Sequence, residues 1–456
     1  MYDVVVQNGL VAMDSGIMPV NLGITGSHIA EIAAIPLAGK HVIDAKGAVV
    51  APGWIDSHSH LEGHAYAGQL ALLQGITTSV GGNCGFGPPD MAAFLQAQRG
   101  YYFHQAEFAG HATLREQVGV SDVMAAASPA QIQAMRRLAQ AALDAGACGI
   151  SFGMGYTPGA SQQEFLALAE VARDAGRMVS VDVRLSHLTD LEGLRDALEV
   201  ARCGVRMQIS HFVYQHSATP DTMQAACVMM DAAEAQGLDV WMDSGMYTWW
   251  TSVIGTSLFD EMFMYSGAVT WGEFTVCTGP HAGEVWDEAL YRHMRQAHAE
   301  DSVVSQAPGE AYVLPLLSRA RCMPSCDAGR YAVGQGHPQG AGTFPRYVRH
   351  VLDAGIPLAD IIAKATALPA QVFGLTHKGH IAVGYDADVV IFRPECIQDR
   401  AWYLPEGKPD TPPAGIDYVL VAGQVAVTHG KIVQEHAGDA LVYGREESYE
   451  HTGFFT

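Results

Sequence analysis

The sequence predicts an α/β fold with a large central region and a small β domain formed by both chain ends. Short apolar runs, interrupted by polar residues and glycines, occur at both ends, and this pattern is typical of strands and hairpins. The middle repeats a short apolar run followed by an alanine-rich amphipathic stretch, which indicates β–α units in a parallel sheet or a (β/α)8 barrel. With 456 residues, the chain is also too long for one ordinary core.

The chain ends carry the evidence for the β domain. The N-terminal runs are "YDVVVQNGLVAM", "NLGITGSHIAEIAAI" and "KHVIDAKGAVVAPG". The C-terminal runs are "GHIAVGYDADVVIFRP" and "IDYVLVAGQVAVTHGKIV". We therefore assign residues 1–52 and 378–436 to one β domain, and residues 437–456 to a C-terminal tail.

The central region, residues 53–377, alternates strand and helix patterns. Its apolar runs end in polar residues, as in "GITTSVGGNCG", "MVSVDVR", "VRMQISHF" and "LDVWMDSG". Amphipathic stretches such as "PAQIQAMRRLAQAALDAG" and "SQQEFLALAEVARDAG" separate these runs. In barrels of this kind, active-site groups lie at the carboxyl ends of the strands, so the polar residues at the run ends are the candidate site.

Histidine, cysteine and aspartate recur at these predicted strand ends. The candidates are His58, His60, Cys84, Asp182, His211, Asp243 and Asp327. Imidazole, thiolate and carboxylate together are the ligand set of zinc. A histidine pair spaced as in "HSH" is a weak signal alone, but side chains two apart on a strand point the same way. Further donors at other strand ends make a shared metal ion the favoured interpretation.

Composition limits the classes of partner. The formal net charge is −22, which disfavours binding to nucleic acid and to anionic membranes. No run of about 18 apolar residues predicts a membrane span, and the first residues lack the pattern of a secretion signal. The eight scattered cysteines are typical of reduced thiols. We expect a cytoplasmic protein that binds a small molecule, and we leave a homo-oligomer open.

Longer motifs resemble one known family. The segments "APGWIDSHSH", "LLQGITTSVGGNCGFGP", "HPQGAGTFPR" and "ALPAQVFGLTHKGHIAVGYDADVVIF" are similar to the amidohydrolase superfamily, and more narrowly to its D-aminoacylase (N-acyl-D-amino-acid deacylase) branch. The similarity runs from about residue 1 to about residue 395. The resemblance implies a (β/α)8 barrel with a small β-sandwich domain from both chain ends, which agrees with the organisation above.

The resemblance also implies a role for each matching residue. His58 and His60 match the histidine pair of the first strand, which forms a metal site with the late aspartate. Cys84 matches the cysteine ligand of this branch, and His211 matches the ligand histidine after the strand in "QISH". Asp327 matches that late aspartate, which activates the attacking water and later protonates the leaving amine. Such a shuttle is general acid–base catalysis by a carboxylate.

The first departure from the family pattern concerns a ligand. Family members usually carry a histidine where this chain has Asp182, in "VDVR". Aspartate also binds zinc, but it adds a negative charge beside the thiolate, which favours tighter binding or a second metal ion. His187 is the alternative nitrogen donor, and an ion pair of Asp182 with Arg184 is the structural alternative. We prefer Asp182 as the ligand.

The second departure concerns the substrate. The branch usually has a lysine soon after "SH" and an arginine in "HPR", cations suited to a substrate carboxylate. This chain has Val213 and Gln339 at the corresponding positions. Our candidate substrate-binding residues are Tyr247, Trp249, Gln339, Arg184 and His64. The neighbouring Trp250 and the arginines Arg330 and Arg346 are further candidates.

These observations favour a zinc-dependent amidohydrolase that holds one or two ions and cleaves a C–N amide bond with a metal-activated water. An N-acyl-D-amino acid or a derivative is the preferred substrate. The missing cations keep open a second hydrolase, one that opens a cyclic amide such as a hydantoin or lactam. The exchange at Asp182 keeps open a barrel that binds a ligand without catalysis.

Overall fold

The computed structural model describes residues 1–185, 189–260, 270–307 and 309–444. His187, the alternative nitrogen donor, lies outside the described residues, as does the predicted tail beyond residue 444. Within the part that is described, no helix is both long enough and apolar enough to cross a bilayer.

Strands concentrate at both chain ends and recur through the centre. In chain order they are β1 (Tyr2–Gln7), β2 (Leu10–Met13), β3 (Gly16–Met18), β4 (Asn21–Thr25), β5 (His28–Ala33), β6 (Gly39–Asp44), β7 (Val49–Pro52), β8 (Trp54–Asp56), β9 (Ile76–Gly81), β10 (His104–Gly110), β11 (Gly149–Gly153), β12 (Met178–Asp182), β13 (Met207–Ile209), β14 (Val240–Ser244), β15 (Trp250–Val253), β16 (Phe274–Val276), β17 (Ser302–Ser305), β18 (Cys322–Pro324), β19 (Val389–Phe392), β20 (Ile416–Val421), β21 (Gln424–Thr428) and β22 (Lys431–Ile432).

Helices occupy the central region between its strands. They are α1 (Ala65–Leu73), α2 (Met91–Ala97), α3 (His111–Gln117), α4 (Pro129–Ala145), α5 (Gln162–Asp174), α6 (Glu192–Ala201), α7 (Phe212–His216), α8 (Pro220–Ala235), α9 (Glu288–Ala297), α10 (Glu310–Leu317), α11 (Gln339–Asp353), α12 (Leu358–Ala365) and α13 (Ala367–Phe373). Their starts follow local chemistry: in α4, Ser128 and Gln131 form a capping box, with a proline at the first helical position. Two short 3-10 helices cover Ser257–Phe259 and Trp271–Glu273.

Eight parallel strands form the central sheet, in the order β18-β14-β13-β12-β11-β10-β9-β8. The two outer strands also meet, because Ser59 after β8 forms a parallel bridge with Ala328 after β18. The Asp327 amide donates to the His58 carbonyl at 2.8 Å across the same junction. The predicted (β/α)8 barrel is thereby confirmed. The junction brings the first and last candidate ligands together.

Both chain ends contribute to one seven-stranded sheet, in the order β22-β21-β20-β19-β7-β2-β3. The joint is the antiparallel pair of β19 with β7, in which Ile391 faces Val50. A four-stranded sheet, β5-β4-β1-β6, packs with it around buried residues such as Leu22 and Ile24. We propose the same domain boundaries as in the sequence analysis, with residues 1–52 and 378–436 in the β domain and residues 53–377 in the barrel.

A fourth sheet was not predicted from the sequence. Strands β15, β17 and β16 pair antiparallel, and α9 packs on them. Their core is largely aromatic, with Phe259, Phe274, Trp286 and Tyr291 buried. We call residues 250–260 and 270–307 the insertion module. It interrupts the β–α order between β14 and β18.

Candidate metal centre

Five candidate ligands lie at or just after the carboxyl ends of barrel strands. His58 follows β8, Cys84 follows β9, Asp182 ends β12, His211 follows β13 and Asp327 follows β18. Parallel strands in a barrel end at the same rim, so residues far apart in sequence converge there. All five residues are buried.

The donor atoms form two triplets that share His58. In the first, His58 Nε2 lies 3.4 Å from Cys84 Sγ, which lies 3.5 Å from His211 Nε2. In the second, Asp327 Oδ1 lies 3.5 Å from His58 Nε2 and 3.4 Å from His60 Nε2. Within each triplet, one ligand atom per residue lies within 4.8 Å of the others. This spacing and these atoms fit a metal ion, or two adjacent ions.

Asp182 lies beside the first triplet. Its Oδ2 is 3.8 Å from His211 Nε2, and its other oxygen accepts a short hydrogen bond from Gln215. Arg184 is not its ion-pair partner, because the Arg184 guanidinium donates to the Ala160 carbonyl at 2.8 Å. Asp182 therefore offers a fourth donor atom beside the three of the first triplet, as our ligand hypothesis expects.

Three of the ligand candidates have an unusual backbone. Cys84, His211 and Asp327 have φ angles of 52°, 31° and 52°, in the left-handed region that side chains other than glycine rarely adopt. Such strain costs about 1–3 kcal/mol per residue and clusters at functional sites. The sharp turns carry the three side chains inward from their strand ends.

Asp243 holds two of the candidate ligands, His58 and His211, in place. Its Oδ2 lies 3.4 Å from His58 Nδ1, so the opposite nitrogen of His58 faces Cys84 and Asp327. Its Oδ1 accepts from the His211 amide at 3.0 Å and from the Ser325 hydroxyl at 2.7 Å. A carboxylate that fixes the far nitrogen of a ligand histidine is a common support of metal sites.

The pKa shifts of the site reflect its crowded carboxylates. Burial, and then the charges of Asp182, Asp327 and Asp243, raise the pKa of the Cys84 thiol well above its usual value. Burial also acts to raise the pKa of Asp327, but a His60 hydrogen bond and the charges of His58 and His211 lower it to about 2. Asp327 is therefore ionised at neutral pH, whereas a thiolate at Cys84 needs a cation beside it. The donor set fits a metal ion for this reason as well as by position.

A cavity of about 1050 Å³ opens above these ligands. His60, Cys84, Asp182, His211 and Asp327 line its floor. Aromatic side chains form much of its wall, namely Phe86, Phe94, Tyr156, Tyr214, Trp250, Phe259, Phe274 and Tyr331. The insertion module contributes three of them, so this unpredicted part of the fold shapes the cavity.

Arg330 is the only lysine or arginine on the cavity wall among the described residues. Its Nε lies 3.7 Å from Glu62 Oε2, and its side chain is 58% exposed. Arg346 is used elsewhere, because it contacts Asp399 at 3.3 Å and Glu310 at 3.1 Å. Among the arginines considered from the sequence, Arg330 alone lines the cavity.

Two aromatic residues predicted to bind substrate lie off the cavity. Tyr247 is 1% exposed, and its hydroxyl donates to Asp399 at 2.8 Å. Trp249 stacks on Tyr403, with ring centroids 4.1 Å apart. The next residue, Trp250, lines the cavity instead. Tyr247 and Trp249 therefore have internal partners and do not line the cavity.

The other side chains predicted to bind substrate also have internal partners. Gln339 donates a short hydrogen bond to the Asp327 carbonyl and accepts one from Tyr214 at 3.0 Å. His64 caps α1, where its Nδ1 accepts from the Ala67 amide at 3.3 Å. Neither residue, nor Arg184, lines the cavity. Gln339 thus supports the backbone of Asp327.

Tyr214 and Gln215 were missed in the sequence. They follow His211 by three and four residues, on the short helix α7, and both line the cavity. Helical neighbours at this spacing lie on one face, so the spacing from a candidate ligand was the available signal.

The comparisons with known proteins agree with the geometry. Two models described as "Amidohydrolase family" match residues 41–242 and 287–426. The N-acyl-D-glutamate deacylase of Alcaligenes xylosoxydans xylosoxydans is 32% identical over 482 aligned residues, which cover 94% of each chain. The chain belongs to the amidohydrolase family.

Solved structures identify the branch of this amidohydrolase. A crystal structure of D-aminoacylase superposes with a TM-score of 0.84 at 25% identity, over 97% of this chain and 100% of that one. The N-acyl-D-glutamate deacylase of Bordetella bronchiseptica, solved with zinc and a phosphonate inhibitor, gives 0.84 at 27% identity, over 97% and 99%. The predicted D-aminoacylase branch is confirmed. So is the enzyme class, a hydrolase of carbon–nitrogen bonds other than peptide bonds.

Proposed function

We propose that this amidohydrolase is a zinc enzyme that hydrolyses the amide bond of an N-acyl-D-amino acid or a close derivative. The observation that carries the proposal is the pair of donor triplets that share the buried His58 and whose other members line the cavity. The similarity to N-acyl-D-glutamate deacylase and D-aminoacylase supports the substrate class.

The chain's residues would hold one or two ions. His58, His60 and Asp327 are the set for one ion. Cys84 and His211, with Asp182 beside them, are the set for a second ion, because the Nε2 lone pair of His58 can bind only one of the two. The negative charges of Asp182 and of a Cys84 thiolate favour two ions over one, because a second cation shares the charge. Bound zinc lowers the pKa of water toward about 7 and polarises a carbonyl oxygen.

Asp327 is the proposed general base and acid. Its pKa of about 2 keeps the carboxylate ionised at neutral pH, so it can accept a proton from the attacking water. The same carboxyl group then donates that proton to the nitrogen of the leaving amine. The Gln339 hydrogen bond to the Asp327 carbonyl holds the backbone of this residue in its left-handed conformation.

The cavity supports a substrate with an apolar part and one carboxylate. The aromatic wall suits an acyl or side-chain group, and Arg330 is the proposed partner of the carboxylate. Since Glu62 lies 3.7 Å from Arg330, a bound carboxylate would compete with that contact.

A cyclic amide is the second candidate substrate. Val213, at the position where the branch has a cation, is fully buried, and Gln339 lies off the cavity. A single cation at the rim is a weaker carboxylate site than the two cations of the branch. A hydantoin or lactam, which needs no such cation, fits the same aromatic wall.

The surface charge supports a small-molecule substrate. At −22, the chain is too acidic to favour nucleic acid or an anionic membrane. We propose a cytoplasmic location, with homo-oligomer formation left open.

A hydrolysis screen tests the substrate proposal. Zinc-loaded protein is incubated with N-acetyl-D- and N-acetyl-L-amino acids and, in parallel, with hydantoins and lactams, and the released amine or ring-opened acid is quantified. Turnover of the D-series above the L-series supports the proposal. Turnover of the cyclic amides alone replaces it with the second candidate, and inactivity toward acylated amino acids of both hands contradicts it.

A further inference from the structure

Three histidines of the insertion module lie together outside the cavity. They are His281, His293 and His298, which we call the histidine triad. Their ring centroids are 5.3–5.4 Å apart, and the rings meet at angles of 62–79°. One ligand nitrogen from each residue lies within 4.8 Å of the other two. None of the three lines the cavity, so the triad is separate from the metal centre described above.

Carboxylates hold two of the three rings from behind. His281 Nδ1 lies 3.0 Å from Glu284 Oε1, and His298 Nδ1 lies 3.5 Å from Asp301 Oδ2. In both cases the carboxylate follows the histidine by three residues. A proton shared through Nδ1 leaves the Nε2 lone pair free to bind a metal, and it fixes the ring orientation. A surface histidine without a metal-binding role does not need a carboxylate on its Nδ1, and here two of the three histidines have one.

The triad can close around an ion without moving its backbone. Two nitrogens on one tetrahedral zinc lie about 3.4 Å apart at the usual Zn–N distance of about 2.0–2.1 Å. His281 and His298 are each 26% exposed, and His293 is exposed on α9, so small side-chain rotations bring the nitrogens to that spacing. Three imidazoles and a solvent molecule complete a tetrahedral shell.

We propose that the histidine triad binds a divalent transition-metal ion, Zn²⁺ above all, as a site separate from the catalytic centre. Imidazole nitrogen suits zinc, copper and nickel, whereas magnesium and calcium prefer oxygen ligands. The ion links two chain segments, the turn at His281 and the C-terminal part of α9, where His293 lies on the helix and His298 directly follows it.

The site is connected to the cavity wall through Asp301. This residue contacts His298 and also lines the cavity, and its other oxygen accepts from the Thr278 hydroxyl at 3.2 Å. The adjacent Gly279 exchanges hydrogen bonds of 2.9 and 3.2 Å with Gln335, in the loop that carries Arg330. An ion on the triad therefore stabilises the insertion module against the wall of the cavity.

Metal stoichiometry tests the proposal on protein that carries no polyhistidine tag. Wild type, His293→Ala and the double variant His281→Ala/His293→Ala are dialysed against buffered free zinc, and bound zinc per chain is measured by elemental analysis. His41→Ala, at an exposed histidine on β6, is the matched control. We expect the triad variants to bind one equivalent fewer than wild type and the control. Equal stoichiometry in all four proteins overturns the proposal.

A second measurement separates a metal site from a fold defect. In a His58→Ala/Cys84→Ala background, which leaves neither donor triplet of the catalytic centre intact, Co²⁺ titration should still give a visible absorption spectrum that the His293→Ala change abolishes. Glu284→Gln, which keeps the three histidines, should weaken Co²⁺ binding about 10- to 100-fold. Unaltered affinity in Glu284→Gln, or a spectrum that survives His293→Ala, contradicts the triad as the site.

Discussion

At the scale of single residues, Asp327 combines the position of a ligand with the ionisation of a base. Its carboxylate lies 3.5 Å from His58 and 3.4 Å from His60, which both follow β8. Its pKa of about 2 keeps the carboxylate charged at neutral pH. Its main chain is fixed from two sides, by the His58 carbonyl on its amide and by Gln339 on its carbonyl. This precision suits proton transfer, which depends on distance to the reacting atoms.

Asp327→Asn should abolish turnover while most of the bound metal remains. The amide keeps the shape of the side chain but cannot accept the proton, so kcat should fall about 10²- to 10⁴-fold. Elemental analysis and turnover are measured on the same sample. Cys84→Ala is the control, since it should lose metal and turnover together. Equal loss of metal in Asp327→Asn would make this residue an essential ligand instead.

Arg330→Ala should raise KM for a carboxylate substrate about tenfold or more, with a smaller change in kcat. The reason is the loss of a charge-assisted hydrogen bond, worth about 1.5–3 kcal/mol. Arg184→Ala is the matched control, because Arg184 does not line the cavity. An unchanged KM in Arg330→Ala, or an equal rise in the control, would exclude Arg330 as the carboxylate partner.

At the scale of elements, the strand ends were predictable and the insertion module was not. Apolar runs that end in histidine, cysteine or aspartate indicate strands whose last residues face a common rim. The module's short strands, β15, β16 and β17, have three or four residues each, too few for an alternation to be recognised. Its packing decides that Trp250, and not Trp249, faces the cavity. Trp249 instead stacks on Tyr403, a residue about 150 positions further along the chain, which a local pattern cannot reveal.

Helix α7 carries a histidine that should make folding sensitive to acid. Among the described residues, both nitrogens of His216 are buried without a hydrogen-bond partner, and burial, reinforced by the charge of His211, lowers the pKa of His216 to about 3. The folded pKa is below the unfolded value of about 6.5, so the unfolded chain takes up the proton first. Stability from neutral His216 is present above pH 6.5 and declines as the pH falls toward 3.

His216→Phe should remove this part of the acid sensitivity. Between pH 7 and pH 5, wild type should lose about 2 kcal/mol more unfolding free energy than the variant, at about 1.4 kcal/mol per pH unit below 6.5. Chemical denaturation at both pH values measures the difference. His41→Phe controls for the loss of an exposed histidine. Parallel pH dependence in wild type and His216→Phe would disprove the assignment.

At the scale of the whole molecule, a buried ion-pair cluster joins the β domain to the barrel. Asp388 lies 2.6 Å from Lys378 Nζ and 3.3 Å from His104 Nε2 on barrel strand β10. Burial acts to raise the pKa of Asp388, but the charges of Lys378 and His104 hold it well below its usual value. The cluster was not predicted from the sequence, because its members are brought together only when the chain that follows the barrel packs back against β10.

Asp388→Asn should destabilise the protein by about 1.5–3 kcal/mol, because the buried Lys378 ammonium loses one of its two carboxylate partners and keeps only Asp386, at 2.8 Å. Glu199→Gln is the matched control, since Glu199 pairs with Arg202 on the surface and should cost under about 1 kcal/mol. Chemical denaturation compares the two variants with wild type. A loss in Asp388→Asn as small as in the control would show that the cluster contributes little to stability.

The candidate site was largely predictable from the sequence, and its cavity was not. His58, His60, Cys84, Asp182, His211 and Asp327 converge as the β–α order and the resemblance implied. The strand-end rule places such residues without knowledge of packing. Substrate contacts depend on which long side chains find internal partners, and Tyr247, Gln339 and Arg184 all do. Their residue types alone could not reveal this.

The central claim is that hydrolysis depends on metal held by the shared donor set. The most direct test measures hydrolysis of an N-acyl-D-amino acid by protein stripped of metal with a chelator and then titrated with zinc. We predict negligible turnover in the stripped protein and recovery as zinc fills the centre, with no recovery in Cys84→Ala. Full turnover in the stripped protein, or no gain on adding zinc to a wild-type protein that binds it, would contradict the account.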